Sequence, residues 1–395
     1  MSQSSESTSN EKNDPSSRKP NKKVVVLMSK FVEICIFKQF NPMAFLRKIT
    51  HPERLSEDKK LIKQKMTVNE VWAVCRAVIE EFKKEKNLLN ISVPVTIVGN
   101  IHGNYHDLYR ALLSRNGRDL IEEVNNPSPR GFVQDRYLFL GDYIQHGKRS
   151  LECICLLFAF KICYSKRYFL LRGAHESYSM NNNEFLESLA KFSLKHCQEL
   201  HNKFNEAFSW MPLAALVGGK IFCVHGGISP QLNELSEIDN IKRPLWELTE
   251  SRLATDLVFS DPLDYDIIHI PKDEPTFELN YLRHKSVLYN EAAVHEFCDK
   301  FDIKLIVRSH TFLPFGYRFF ADNKLITIFN SSGYRDQRNH GALLKIDKTG
   351  KITIVTLLPR PLKVVKEKAE DAQNNKSEVD TSAVSTRTYK QPYAS

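Results

Sequence analysis

The sequence predicts an α/β domain, an α+β sandwich in which a central mixed β-sandwich is flanked by helices. Three observations carry that expectation. Short runs of β-branched and aromatic residues recur and stop at Asn, Asp or His; helical spacing fills several gaps between them; and the C-terminal part runs strand after strand without a helix. In order along the chain, Thr67 to Lys84 is expected as a helix. There Val71, Val74, Cys75, Val78, Ile79 and Phe82 fall three and four residues apart, and Glu70 follows Thr67 at the spacing of a capping box. Five strands are expected in VPVTIVGN (93–100), RYLFLGDY (136–143), RYFLLRGAHE (167–176), KIFCVHGG (220–227) and KLIVRSH (304–310). Helices are expected over Ser150 to Tyr164, Asn183 to Trp210 and Glu291 to Phe301. The segments RFFAD, KLITIFNS, GALLKI and KITIVTLL read as an antiparallel meander.

A chain of 395 residues with 42% hydrophobic and 26% charged residues can bury a core, which excludes a collagen, a membrane bundle or a wholly disordered protein. The net charge of +9 suits anionic partners. It comes from 56 bases among 47 acids, too balanced for a dedicated nucleic-acid binder. The 8 cysteines form no C-x-x-C pair and lie mostly in apolar runs, as reduced thiols of a cytoplasmic or nuclear protein do. The apolar stretch from Val24 to Phe37 is broken by Lys30 and Glu33 and is shorter than the ~20 residues that span a bilayer, so no membrane or secretion signal is read. Residues 1–23, including the basic RKPNKK run, and 362–395 hold too few apolar side chains to offset chain entropy and are expected to be disordered tails. Between them one domain is expected over 24–361, with a helical lead-in at 24–90 and a motif-bearing core at 91–360.

The strand ends carry the chemistry. Asn100, His102, Asp142, His175, His225 and His310 sit where buried strands open into loops, with glycines at 99, 103, 141, 173, 226 and 227. A rigid sheet places such residues at solvent, and imidazoles with a carboxylate are hard and borderline metal ligands.

The segments IVGNIHGNYHDLYRAL, YLFLGDYIQHGKRSLECICLLFAFKICY, YFLLRGAHES, MPLAALVGGKIFCVHGGISP, LVFSDP, KLIVRSH and FNSSGYRDQRNHGALL together resemble the phosphoprotein phosphatase family of Ser/Thr phosphatases, over about residues 65–357. SLECICLLFAFKICY resembles its type 1 catalytic subunits most. The resemblance implies a calcineurin-like metallophosphoesterase fold with two divalent metals, manganese, iron or zinc, at one end of the sandwich. Those metals would activate water for attack on phosphoserine or phosphothreonine in proteins. It assigns His102, Asp142, His225 and His310 as metal ligands, with Asp142 bridging. His175 is the general acid, Arg283 binds phosphate, and Tyr334 lies on a loop overhanging the site.

The chain departs from the family pattern at four places. Asn100 replaces an Asp ligand; its amide oxygen can still bind a metal but brings no charge. Ala174 replaces an Asn ligand and has no donor atom. Gln145 and His146 replace the Asp that orients the general acid and the Arg that clamps the phosphate, and His146 lacks the fork of an arginine. In the loop after Tyr334, Arg335-Asp336-Gln337-Arg338-Asn339-His340 is shorter and more basic than the type 1 pattern. The residues leave two alternatives: a metal-dependent phosphatase with weak or lost activity, and a non-catalytic pseudophosphatase that binds phosphoproteins or type 1 regulatory subunits. The docking strands for such subunits fall around Tyr317, Phe319, Phe320, Ile352 and Ile354, and core packing explains their apolar character equally well.

Overall fold

A computed structural model describes residues 40–50, 66–113, 135–263 and 275–359 and the strand 384–388. The chain divides into two compact units, Met1–Phe40 and Asn41–Ser395, and among the described residues the helices, strands and sites belong to the second. The expected tail 1–23 and the expected domain start at 24 lie outside the described residues.

The capping box forms. The helix α1 (Pro42–Ile49) is followed by α2 (Val68–Lys83), whose Thr67 accepts from the Glu70 backbone N–H at 3.2 Å while the Glu70 carboxylate accepts from the Thr67 N–H at 2.8 Å. Lys48 of α1 closes the pair at 2.7 Å from Glu70. After β1 (Leu88–Ile91) the chain winds β2 (Val95–Val98), α3 (Tyr105–Leu113), β3 (Tyr137–Phe139), α4 (Ser150–Cys163) and β4 (Tyr168–Leu170), with β2–β3 and β3–β4 parallel. The α4 sequence is apolar on every side, and such a helix is stable only when buried all round. It is covered accordingly, and Phe160 stacks on Tyr168 with ring centres 4.6 Å apart. Its one lysine, Lys161, is fully buried and paired with Glu85.

The expected helix over 183–210 is two. After the short α5 (Tyr178–Asn181), α6 (Glu184–Ser188) ends and α7 (Leu194–Ser209) restarts behind an extended Ser193 at its N-cap. The next strands are β5 (Ala214–Val217) and β6 (Ile221–Val224), then α8 (Arg252–Phe259), β7 (Asp261–Pro262), β8 (Phe277–Leu279), β9 (Val287–Tyr289) and α9 (Glu291–Phe301). Last come β10 (Leu305–Arg308), β11 (Tyr317–Phe320), β12 (Leu325–Ile328), β13 (Gly341–Ile346), β14 (Ile352–Leu357) and β15 (Val384–Thr388).

Two six-stranded sheets form the sandwich, ordered β1-β5-β6-β10-β12-β11 and β15-β14-β13-β2-β3-β4, with β7-β9-β8 as a small third sheet. Ile97, Leu138, Cys223, Val307, Ile326 and Leu344 fill the space between the large sheets. On the other face of the first sheet, Phe222, Val224 and Ile306 pack with Leu257 of α8 and Val294 of α9. The mixed sandwich flanked by helices is therefore as expected.

One expectation fails. The C-terminal segments make no single meander: β11 and β12 are antiparallel neighbours in the first sheet, β13 and β14 in the second. The chain crosses between sheets at 329–340, which carries the Tyr334 loop past the end of the sandwich. Within the C-terminal segment β15 pairs antiparallel with β14, from Thr353 opposite Thr388 to Leu357 opposite Val384. The rest of that segment lies outside the described residues. Of the candidate docking strands, Ile354 is core, while Tyr317, Phe319, Phe320 and Ile352 are half-buried against it. Among the described residues no helix is long and apolar enough to cross a membrane, and no cysteine is in a disulfide.

Thr67→Ala should lower stability by about 1 kcal/mol in equilibrium urea unfolding, the usual cost of a lost N-cap. An unchanged midpoint would show that the box does not hold α2.

Candidate metal centre

β2, β3 and β4 of one sheet and β6 and β10 of the other all point their C-terminal ends to one place. The loops there depart from ordinary backbone: φ is +47° at His102, +54° at Asp142, +68° at Gln145, +60° at His146 and +66° at His310. Non-glycine residues adopt such angles at a cost of order 1–3 kcal/mol each, which the surrounding packing must hold in place. Two glycines make the close approach possible. A Cβ at Gly141 would stand 2.4 Å from the Gly173 Cα, and one at Gly173 would stand 2.2 Å from the Asp142 nitrogen. The buried Glu176 carboxylate then accepts the backbone N–H groups of Asp142 (2.8 Å), Tyr143 (2.9 Å) and Gly173 (3.0 Å). Burial, and next the Asp142 charge, push the Glu176 carboxyl up to about 8, with the three N–H donors acting the other way.

Asp142 is the hub. Its Oδ1 accepts the His175 backbone N–H at 2.9 Å and faces His225 Nε2 at 3.3 Å; its Oδ2 stands 3.9 Å from both His102 Nε2 and His175 Nε2. Burial alone would raise its carboxyl, but the charges of His225, His175 and His102 hold it well below the usual range. Burial, offset in part by the Asp142 charge, lowers His102 and His175 below their usual value.

Asn100 does not present the metal-binding oxygen expected of it. Its Oδ1 accepts the backbone N–H of His310 at 2.9 Å and the Ser309 hydroxyl. A backbone N–H can only donate, so the atom facing it is the oxygen. The amide nitrogen is left facing Asp142 Oδ2 at 2.8 Å and His102 Nε2 at 2.9 Å, the two groups that would share the first metal with it. Asn100 therefore supplies no oxygen there, so these three residues do not make up the family's first metal site.

The second set fits. His225 donates Nδ1–H to the Leu140 carbonyl at 2.8 Å, which aims Nε2 at Asp142 Oδ1 (3.3 Å) and His310 Nδ1 (3.2 Å). Asp142, His225 and His310 thus converge with ligand atoms within 4.8 Å of one another, and three protein donors suffice for a zinc-type ion. Such an ion would lower the pKa of bound water and polarise a phosphoryl oxygen. Ala174 adds nothing to it and belongs to the apolar cluster under α8 and α9.

The catalytic positions are only partly assembled. Gln145 does not lie on His175: its amide donates to the Met180 carbonyl at 2.6 Å, and the buried His175 Nδ1 has no hydrogen-bond partner. His146 Nδ1 is 3.1 Å from Glu184 on α6, which also accepts the His146 backbone N–H at 2.7 Å. Burial lowers the pKa of His146, the Glu184 charge acting against it. Arg335 Nη2 reaches the same ring, 3.0 Å from Nδ1 and 3.3 Å from Nε2. The Tyr334 ring centre lies 5.0 Å from His102 and 5.6 Å from His146. Arg283 stands at the rim, where after burial its charge is the next influence lowering His310.

Sequence reasoning missed Glu184, which is 38 residues from His146 and bears no motif. It also assigned no role to Asp261, although LVFSDP was among the recognised segments. Asp261 Oδ2 accepts from Arg283 Nε at 3.0 Å, and Oδ1 accepts from the buried Arg308 at 2.7 Å and Thr311 at 2.8 Å. Arg308 in turn donates to the Gly226 and Ser260 carbonyls, joining the loops after β6, α8 and β10.

The profile of the calcineurin-like phosphoesterase family matches residues 93–314, more than half of the chain. Among solved structures, a protein serine/threonine phosphatase from Saccharomyces cerevisiae, described as similar to human phosphatase PP5, superposes with a TM-score of 0.62. It is 21% identical, over 86% of this chain and 95% of that one, and so shares the fold. A cold-active protein-tyrosine phosphatase from a psychrophilic Shewanella is 16% identical over 71% of this chain and 82% of its own, with a TM-score of 0.45 too low to support an argument.

Burial would raise the Asp261 carboxyl, but His310, Arg308 and Arg283 hold it far below its ordinary 3.8. A depressed carboxylate stabilises the fold above its ordinary value and loses that contribution as pH falls through the depressed one. Acid unfolding should therefore steepen below pH 3.8. Asp261→Asn should cost about 3–5 kcal/mol near neutral pH by stranding buried Arg308, and should flatten the acid limb in denaturant titrations at stepped pH. An acid limb of unaltered slope in the variant would rule this out.

Proposed function

The chain belongs to the calcineurin-like phosphoesterase family, and on that premise we propose that it is a Ser/Thr phosphatase of the phosphoprotein phosphatase type, nearest the type 1 catalytic subunits, whose hydrolysis of protein phosphoserine and phosphothreonine is weak or lost. One observation carries the reading: the Asn100 amide turns its N–H face onto Asp142 and His102. Of the two divalent metals such enzymes use, manganese, iron or zinc, only the one at Asp142, His225 and His310 finds a supporting set of donors in the family's positions. The unpartnered Nδ1 of His175 and the outward turn of Gln145 add to it, since a general acid without its carboxylate loses orientation.

The pseudophosphatase reading draws on a different observation. Arg283 and Arg335 still stand at the opening, so a phosphate group has cationic partners even where turnover fails. On this reading phosphoproteins are ligands, type 1 regulatory subunits are candidate partners, and the cytoplasm or nucleus is the setting that reduced thiols suit.

The purified protein should hydrolyse phosphopeptides at least about 10²-fold more slowly than an intact relative, the scale of one lost catalytic donor. The combined variant Asn100→Asp, Gln145→Asp, His146→Arg and Ala174→Asn should recover both metals and measurable turnover. Turnover in the unaltered protein at an intact relative's rate, abolished by Asp142→Ala, would overturn the proposal.

A further inference from the structure

We infer that His102, His146 and His175 form a metal site of their own, a three-imidazole site for a divalent ion of the zinc type. It goes beyond the proposed function, because it holds whether or not the chain hydrolyses a phosphoester. His146 stands where the family has an arginine, so the replacement that removes the phosphate clamp adds a ligand.

The geometry of the three rings is that of a tetrahedral corner. Their centres are 5.2 Å apart for His102 and His146, 5.2 Å for His102 and His175, and 5.0 Å for His146 and His175, with interplanar angles of 57°, 80° and 89°. For nitrogens about 2.1 Å from a tetrahedral ion, each roughly 1.2 Å from its ring centre, the centres fall about 5.2 Å apart. One nitrogen of each ring already lies within 4.8 Å of the other two. Packed aromatic rings reach similar separations, so spacing alone would not suffice. The surroundings of His146 supply the second observation: Glu184 sits 3.1 Å from its Nδ1, the outer carboxylate that fixes a ligating histidine and frees its Nε2.

Two positive or donor groups now meet these rings, Asn100 Nδ2 at His102 Nε2 and Arg335 Nη2 at His146. A donor calls for a lone pair, so His102 Nε2 presents the form a cation binds, whereas Arg335 stands 3.3 Å from the Nε2 that Glu184 leaves free on His146 and has to move aside. An ion would take over both contacts, while Asn100 keeps its bond to Asp142 Oδ2. The site shares no ligand with the Asp142, His225 and His310 set but adjoins it, with Asp142 Oδ2 3.9 Å from His102 Nε2 and His175 Nε2, and neutral imidazoles with one open position suit zinc over magnesium or calcium.

Cobalt(II) is the probe, because its visible bands report a tetrahedral nitrogen site without any activity measurement. In a His225→Ala/His310→Ala background that melts cooperatively, one cobalt per chain should bind with tetrahedral band intensity. Zinc should displace it. His146→Arg should weaken binding by more than about 100-fold, and Glu184→Gln by about 10–100-fold, the range for an outer carboxylate. If that background does not fold, the same reading is taken on the unaltered chain, where His146→Arg should erase the band and remove one cobalt. A folded background that binds no cobalt, or a His146→Arg variant with unchanged affinity, overturns the inference.

Discussion

The Glu176 carboxylate is the fixed point of this end of the molecule. It gathers three backbone N–H groups from the loops after β3 and β4, and those loops touch only because both residues at the contact, Gly141 and Gly173, lack a Cβ. With the loops so joined, the Asp142 side chain has one place to go. It meets the His175 backbone on one oxygen and Asn100 on the other. A buried carboxylate satisfied by several backbone donors is costly to disturb, since each freed N–H would be left without a partner in the interior.

Two further knots repeat the arrangement across the sandwich. Asn100, at the end of β2 in one sheet, binds Ser309 and His310 at the end of β10 in the other, so one amide sets the distance between the sheets. Asp261 does the same for the loops behind His225 and His310 through Arg308. The side chains that face the opening are therefore positioned by polar groups lying beneath them. The left-handed backbone at His102, Asp142, His146 and His310 is sustained by those knots.

Much of this was legible in the residues. The β-branched runs placed β2, β3, β4, β6 and β10, the Thr67 and Glu70 pair placed the start of α2, and the residues ending each run do meet in space. Orientation was not legible. An Asn in a ligand position offers oxygen or nitrogen according to which neighbour holds it, and the deciding neighbour, the His310 backbone, is 210 residues away. Likewise Gln145 follows the Met180 carbonyl and His146 follows Glu184, both brought in by short helices after β4. The split of the last strands between two sheets escaped for a related reason. Local patterns report a strand's two faces but not which sheet it joins.

The Asn100 amide has one more consequence. In a centre where cations hold the ligand loops together, the shape of the pocket depends on the ion supply of its surroundings, and chelation loosens it. Here the tie between Asp142, His102 and the β10 loop is a neutral side chain belonging to the chain itself. That tie needs no ion, so chelation would leave this one contact between the two sheets in place.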